Sequence, residues 1–473
     1  MPTNPVFMSI RSLGDLIRTR QVSPVDLTRV FLDRLQEIGP RLNAVVTLTR
    51  DLALQQARQS EEEISSGRYR GPLHGIPYGA KDLLATAGGI PTTWGAACFR
   101  DRCFDYDATV IRKLREAGAI LVAKLAMVEM AGGMGYRQPN ASFTGPGVNP
   151  WDSNRWSGGS SSGAGSAVCA GLVPFAIGSE TWGSILGPAN HCGVTGLRPT
   201  HGRVSRYGAM TLCWTLDKLG PLCLTADDSG LVLDAIAGSD PLDPTASSQP
   251  FSYDPAPVRG PFKLGVIRNV AGEADEAMRS NFEIALQTLS KVGTIEEVSI
   301  PGLPYDEIAR TILFAEMSSA FEDFIEEGGT AHLTAPEDRY TPYTRMVVFA
   351  RDYIRALRLR EVVVRAIDKV LTRFDALVGP SRPTCSPKLG EDFPSALRGA
   401  AKDTMGAIGN LAGLPAISVP SGFSAEGLPT GIQFMGRAYE ENLVIAAARA
   451  YQAETEWHLR PPPGFTGQGS EGG

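Results

Sequence analysis

The chain has 473 residues, 43% hydrophobic, 8% aromatic and 20% charged, with 52 Gly and 34 Pro, a make-up that fits a globular protein and excludes disorder, collagen and coiled coil. Lys and Arg number 45 against 51 Asp and Glu, a net charge of −6, which provides no field for gathering nucleic-acid phosphates or anionic lipid. A single hydrophobic core usually stops growing near ~250 to 300 residues, so one oversized α/β domain or two lobes sharing a core boundary is expected.

Residues 1–14 lack the basic segment and apolar run of a secretory signal, and no stretch approaches the ~18 uninterrupted apolar residues of a membrane span. A soluble, cytoplasmic protein without nucleic-acid or membrane partners is therefore expected. Ser23-Pro24-Val25-Asp26 places a capping serine, a proline at the first helical position and a carboxylate at the third. Leu27, Val30, Phe31, Leu35 and Ile38 then recur at helical spacing. A polar helical stretch follows from Asp51 to Ser65, and Gly71-Pro72-Leu73-His74-Gly75-Ile76-Pro77 changes the texture to turns and short apolar strands. Val110, Ile111 and Leu114 lead through Gly118 into Ala119-Ile120-Leu121-Val122-Ala123, the helix-then-buried-strand order of a parallel sheet. Residues 133–165 carry too many Gly, Ser, Asn and Pro for a compact domain unless the loop is functional.

The proline-rich run Asp240–Pro261 reads as a boundary. The expected organisation is an N-terminal helical region (1–66), a catalytic core (67–261), a helical insertion (262–373), a return to the core sheet (374–462) and a disordered tail (463–473).

Seven cysteines, Cys98, Cys103, Cys169, Cys192, Cys213, Cys223 and Cys385, are scattered without Cys-x-x-Cys and read as reduced, mostly buried thiols. The five histidines, His74, His191, His201, His332 and His458, form no local metal motif. No Gly-x-x-x-x-Gly-Lys-Ser/Thr phosphate loop occurs. What stands out is Gly158-Gly159-Ser160-Ser161-Ser162-Gly163-Ala164-Gly165-Ser166, followed by Gly178-Ser179-Glu180-Thr181-Trp182-Gly183-Ser184. The small, apolar segment Ala167–Ile177 between them could pass beneath a site as helix and strand and bring both loops to one edge. Such loops let backbone N–H groups converge on an anion, as acyl transfer requires; the same composition also suits two flexible loops.

A serine nucleophile needs a base. Lys81, in Gly75-Ile76-Pro77-Tyr78-Gly79-Ala80-Lys81-Asp82, stands in an unusually apolar setting, although a lone lysine is ordinarily exposed. On a strand, Lys81 and Asp82 face opposite ways. A lysine is a base only when neutral, and lowering its pKa from ~10.4 to ~7 costs about 4 to 5 kcal/mol, supplied by desolvation or nearby positive charge.

Gly75-Ile76-Pro77 leading to Lys81-Asp82, the Gly-Gly-Ser-Ser cluster at 158–161 and Gly183-Ser184, 24 residues after Ser160, resemble the amidase signature family. Further blocks match in order: Asn149-Pro150-Trp151, Pro199–Gly208, Leu216-Asp217 with Gly220-Pro221, and Gly413-Leu414-Pro415 through Gly427–Gln433. The resemblance implies a large mixed sheet sandwiched by helices, and a Ser-cisSer-Lys triad that hydrolyses small-molecule amides without metal or cofactor. By matching position, Ser184 would be the nucleophile, Ser160 the bridging serine after a cis peptide, and Lys81 the base. The N–H groups of Thr181, Trp182, Gly183 and Ser184 would form the oxyanion hole. The same relay would serve esters or carbamates, and the resemblance leaves room for a homodimer.

The sequence departs from the family pattern at Glu180 (usually Asp), Trp182 (usually Gly), Leu186-Gly187 (usually Arg and a variable residue), His201 (often Tyr), Ser162 (often Gly) and Leu125-Ala126 (often Thr-Asn). Trp182 must either pack inward or wall the acyl pocket, and packing is expected because large aromatics more often serve cores. Two other assignments fit parts of the sequence. One is the ammonia-releasing A-type component of a tRNA-dependent amidotransferase, against which Trp182 and Leu186 weigh. The other is a Ser-His hydrolase with Ser161 in Gly159-x-Ser161-x-Gly163 and His332 or His458 downstream. His191 and Cys192 read as packing residues.

Overall fold

The computed structural model describes residues 5–256, 261–393 and 403–466. Residues 257–260 of the expected boundary and 467–473 of the expected tail lie outside the described residues. The strands are β1 (Val45–Leu48), β2 (Pro77–Lys81), β3 (Ile120–Leu125), β4 (Val148–Asn149), β5 (Asp152–Trp156), β6 (Phe175–Glu180), β7 (Thr195–Arg198), β8 (Lys218–Cys223), β9 (Phe262–Ile267), β10 (Gly293–Val298), β11 (Ala376–Pro380), β12 (Ala416–Phe423) and β13 (Pro429–Met435). All but β4 and β5 join one mixed sheet of 11 strands, in the order β1-β3-β2-β6-β8-β7-β12-β13-β11-β9-β10. The fold is α/β, as read from the sequence.

Local sequence explains the helices that open the chain. After α1 (Ile10–Arg18), α2 (Pro24–Ile38) starts with Pro24 in its first turn, and the Ser23 hydroxyl accepts from the N–H groups of Val25 and Asp26. Leu27, Phe31 and Leu35 are buried, so the apolar stripe faces the core. α3 (Arg50–Ser65) packs beside α2, and α4 (Thr109–Glu116) feeds β3.

Strands β3, β2 and β6 run parallel and are buried almost throughout. Their continuous apolar sequences suit strands covered on both faces. The ends of parallel strands are where α/β sheets place their chemistry, and the C-terminal ends of β2 and β6 carry Lys81 and Glu180. The segment joining the serine clusters forms α5 (Ser162–Cys169) and then β6. α6 (Leu186–Cys192) follows and packs on α5. α7 (Ala226–Ile236) lies against β7 and β8.

Residues 262–373, expected to be helical, begin as a β-α-β unit: β9 and β10 pair in parallel, with α8 (Glu276–Leu289) between them in sequence. Lys263 on β9 and Glu296 and Glu297 on the edge strand β10 are exposed. Such charges suit an edge, but they give the segment the composition of a surface helix. The helices follow as α9 (Tyr305–Ala320), α10 (Glu322–Glu326), α11 (Thr341–Arg345) and α12 (Ala350–Leu371), after which β11 returns to the sheet. α13 (Thr404–Leu411) packs on α9 and α12, and α14 (Glu441–Ala453) packs on α7. Among the described residues no helix is long and apolar enough to cross a membrane.

Gly163 allows α5 to approach the end of β3. A Cβ there would lie 2.4 Å from the Ala44 carbonyl oxygen and 2.5 Å from the Ala126 nitrogen. Gly163→Ala is expected to cost about 1 to 3 kcal/mol through overpacking against backbone. Gly302→Ala, where an added methyl meets nothing within 4 Å, should change stability by less than about 0.5 kcal/mol. Urea unfolding of the two variants checks the contrast.

Candidate active site

Lys81 ends β2 and is completely buried, contrary to the usual exposure of a lone lysine, because its strand lies between β3 and β6. Its Nζ is 2.7 Å from Ser160 Oγ and 2.9 Å from Ser179 Oγ. Among the described residues Lys81 makes no ion pair. Asp82 points the other way, as strand alternation requires: its carboxylate sits 3.2 Å from Lys124 and accepts from the Thr93 N–H. Burial lowers the Lys81 pKa to about 7, against the pull of the more distant Asp217 and Glu180. An amine with that pKa is substantially uncharged at neutral pH.

The Gly159–Ser160 peptide bond is cis, and Ser160 lies at the buried entrance to α5. The Ser161 hydroxyl donates to the Ser179 carbonyl at 3.2 Å and accepts from the Ser179 N–H at 3.3 Å. Ser161 is thereby committed to holding the two serine loops together, and no histidine is among its partners. The Ser161 N–H also donates to the Ser184 carbonyl at 3.3 Å, which ties the loop bearing the nucleophile candidate to the loop bearing Ser160; among the described residues no hydrogen bond joins the Ser184 and Ser160 hydroxyls.

The loop after β6 is fixed from beneath. Glu180, fully buried, pairs with Arg198 at 2.9 Å and accepts from the N–H groups of Ile185 and Leu186 at 2.9 and 3.0 Å. Burial pushes its carboxyl up, but Arg198, Lys218 and the two N–H groups outweigh that and hold the pKa at about 2. Thr181 donates its hydroxyl to Asp217 at 2.6 Å, and Gly183 turns the chain with φ of +81°, a conformation glycine adopts without strain. Among the described residues no acceptor takes the N–H groups of Thr181, Trp182, Gly183 or Ser184. Four consecutive N–H groups in this half-buried turn are thus left without an acceptor among the described residues.

That turn opens on a cavity of about 340 Å³ lined by Trp182, Gly183, Ser184 and Gly159. Trp182, expected to pack inward, does so in part: it packs against the core cluster and also lines the cavity. Cys192 is buried, with its thiol pushed up by burial, and donates to the Ser157 carbonyl. His191, expected as a packing residue, also reaches the cavity wall. Burial and then Arg382 push its pKa to about 3, so the ring is neutral. Sequence reasoning left Ser179 without a role although it lies in the quoted cluster, and it missed Arg310, Arg345 and Arg382 on the cavity wall, which come from segments with no motif.

The family model described as Amidase matches residues 26–445. The A-type component of the glutamyl-tRNA(Gln) amidotransferase of Moorella thermoacetica is 37% identical over 96% of this chain and 98% of its own. Among solved structures, the peptide amidase of Stenotrophomonas maltophilia aligns with a TM-score of 0.84 and 30% identity, covering 96% of this chain and 98% of that one. The corresponding A-type component from Thermotoga maritima aligns with a TM-score of 0.79 and 28% identity, covering 95% of each chain.

Of the three fully buried lysines, Lys81 and Lys218 should titrate far below the ordinary value of ~10.4, whereas Lys124, also lowered by burial, is held by its ion pair with Asp82. Lys218 is also lowered to about 7 by burial and then by Arg198, and its Nζ donates to Asn410 at 2.6 Å. Nitrogen-15 NMR of the lysine Nζ groups is expected to show two transitions near pH 7, one of which disappears in Lys81→Met.

Proposed function

The chain belongs to the amidase family, and from that premise we propose that it is a serine-dependent amidohydrolase acting on linear amides through an acyl-enzyme. The observation that carries this reading is the buried, ion-pair-free Lys81 amine within hydrogen-bond reach of Ser160. In the proposed mechanism Ser184 Oγ attacks the amide carbonyl. Its proton passes to Ser160, whose own proton moves to the neutral Lys81 amine. The carbonyl oxygen, now negative, is met by the unclaimed N–H groups of the 181–184 turn. The relay then runs backward: Lys81 returns a proton through Ser160 to the leaving nitrogen, and the C–N bond breaks to leave an ester on Ser184. Water, deprotonated by the same route, attacks that ester and releases the carboxylate product and free Ser184. Ser179, the other hydroxyl on Lys81, orients the amine. The chemistry extends to esters and carbamates, whose carbonyls pass through the same tetrahedral geometry.

A second reading has support from the relatives named for glutamyl-tRNA(Gln) amidotransferase: an ammonia-releasing component of a larger assembly. Trp182 on the cavity wall and Leu186 in place of the usual Arg weigh against it. Turnover of small amides by the purified chain alone separates the two readings, since a partner-dependent component would need its assembly.

Ser184→Ala is expected to lower kcat by at least about 10⁴-fold, as for a nucleophile acting within a catalytic unit. Lys81→Ala should lower it comparably, with the largest deficit at neutral pH, and metal chelators should leave it unchanged. A fluorophosphonate probe should label Ser184, located by peptide mapping. Retained activity in Ser184→Ala would overturn the assignment.

A further inference from the structure

The wall of the Ser184 cavity carries three guanidinium groups, Arg310, Arg345 and Arg382, and one carboxylate, Asp403. Asp403 is committed to Arg382, whose Nη1 it meets at 2.7 Å. Arg345 donates to the Gly133 carbonyl at 3.3 Å and lies over the Phe314 ring at 4.5 Å. No carboxylate among the described residues is within ion-pair distance of it. The buried Asp338 carboxyl is its chief acidic neighbour, and burial together with Glu129 pushes that group well up towards the neutral form. Arg310 projects from α9 with its guanidinium 5.4 Å from the centroid of Trp182. It has no hydrogen bond or ion pair among the described residues.

Two partly buried cations near one another without counterions cost free energy in an empty cavity and gain it when an anion enters. Arginine forks match carboxylates in a bidentate geometry that an isolated ammonium cannot supply. The Trp182 face fixes the plane of the Arg310 fork, and Trp182 is two residues from Ser184, so the cationic wall adjoins the reacting serine. At about 340 Å³ the cavity is at the small end of the ~300 to 1,000 Å³ range of ligand pockets, which suits a compact substrate.

Building on the hydrolase reading above, we propose that this site is selective for small amides bearing a carboxylate, with Arg310 and Arg345 binding that carboxylate while the amide carbonyl lies at Ser184. Neutral amides of the same length leave the cationic wall unpaired, and Trp182 acts as the plate that positions Arg310.

Matched substrate pairs test the proposal. Glutaramate against valeramide places the charge on the acyl side, and N-acetyl-β-alanine against N-propylacetamide places it on the amine side. In at least one pair the anionic member should have the higher kcat/KM, by roughly 10- to 100-fold, the worth of a charge-assisted hydrogen-bond pair. Arg310→Gln should erase most of that ratio, chiefly through KM, and Arg310→Lys should restore part of it. Both members are measured on one preparation, so the ratio is independent of the fraction that folds. A neutral amide equal to or better than its anionic partner in both pairs would overturn the proposal, as would an unchanged ratio in Arg310→Gln; either result leaves the amidohydrolase reading standing. Failure of that underlying reading has a different signature, no turnover of any amide and no fluorophosphonate label on Ser184, and the proposal would fall with it.

Discussion

A lysine held at full burial with two hydroxyls and no carboxylate in contact is the constraint on which the site depends. Keeping an ammonium there would sacrifice its hydration without an anion to replace it. The protein resolves this by letting the amine titrate near neutrality. Strand alternation is essential to the outcome: Asp82, the nearest carboxylate in sequence, is turned to Lys124 on the opposite side of β2. A one-residue change in the register of β2 would exchange the two faces and bring a carboxylate where the neutral amine now sits.

The turn that carries Ser184 is governed by a second buried charge arrangement with the opposite character. Glu180 stays ionised because Arg198 and two backbone N–H groups surround it, and its carboxylate fixes the start of α6. Glutamate in place of the family's usual aspartate keeps an acid at this point, with one more methylene of reach. Ile185 and Leu186 give their N–H groups to Glu180, while those of residues 181–184 have no acceptor among the described residues. The two ionisable anchors therefore divide the work. Burial, opposed only weakly by Asp217 and Glu180, sets Lys81, and compensated burial sets Glu180, so one titrates near neutrality and the other stays ionised.

Much of this is legible in the chain. The Ser23-Pro24 start of α2, the helix-to-strand passage at 109–125 and the small apolar segment beneath the serine loops each follow local rules, and the structure realises all three. The family resemblance, not the residues taken alone, names Lys81, Ser160 and Ser184 as partners, and the structure brings Lys81 onto Ser160 and ties the Ser184 loop to Ser161. What escapes a sequence reading depends on distant partners. β9 and β10 read as helical because Lys263 on β9 and Glu296 and Glu297 on the edge strand β10 face solvent. Trp182 lines the cavity while also packing on the core, a placement set by residues distant in sequence. Arg310, Arg345 and Arg382 lie on α9, α11 and the segment after β11, and nothing in their flanking residues marks them as neighbours.

The central claim, an uncharged Lys81 that accepts the Ser184 proton through Ser160, is most directly tested by rapid-quench measurement of the acylation rate as a function of pH, reading the first turnover of amine release. The account predicts a rate that rises with pH through an apparent pKa of about 7 and then levels off, with the rising limb absent in Lys81→Met. A first-turnover rate that does not change across that range, or a rising limb that persists in Lys81→Met, would contradict it.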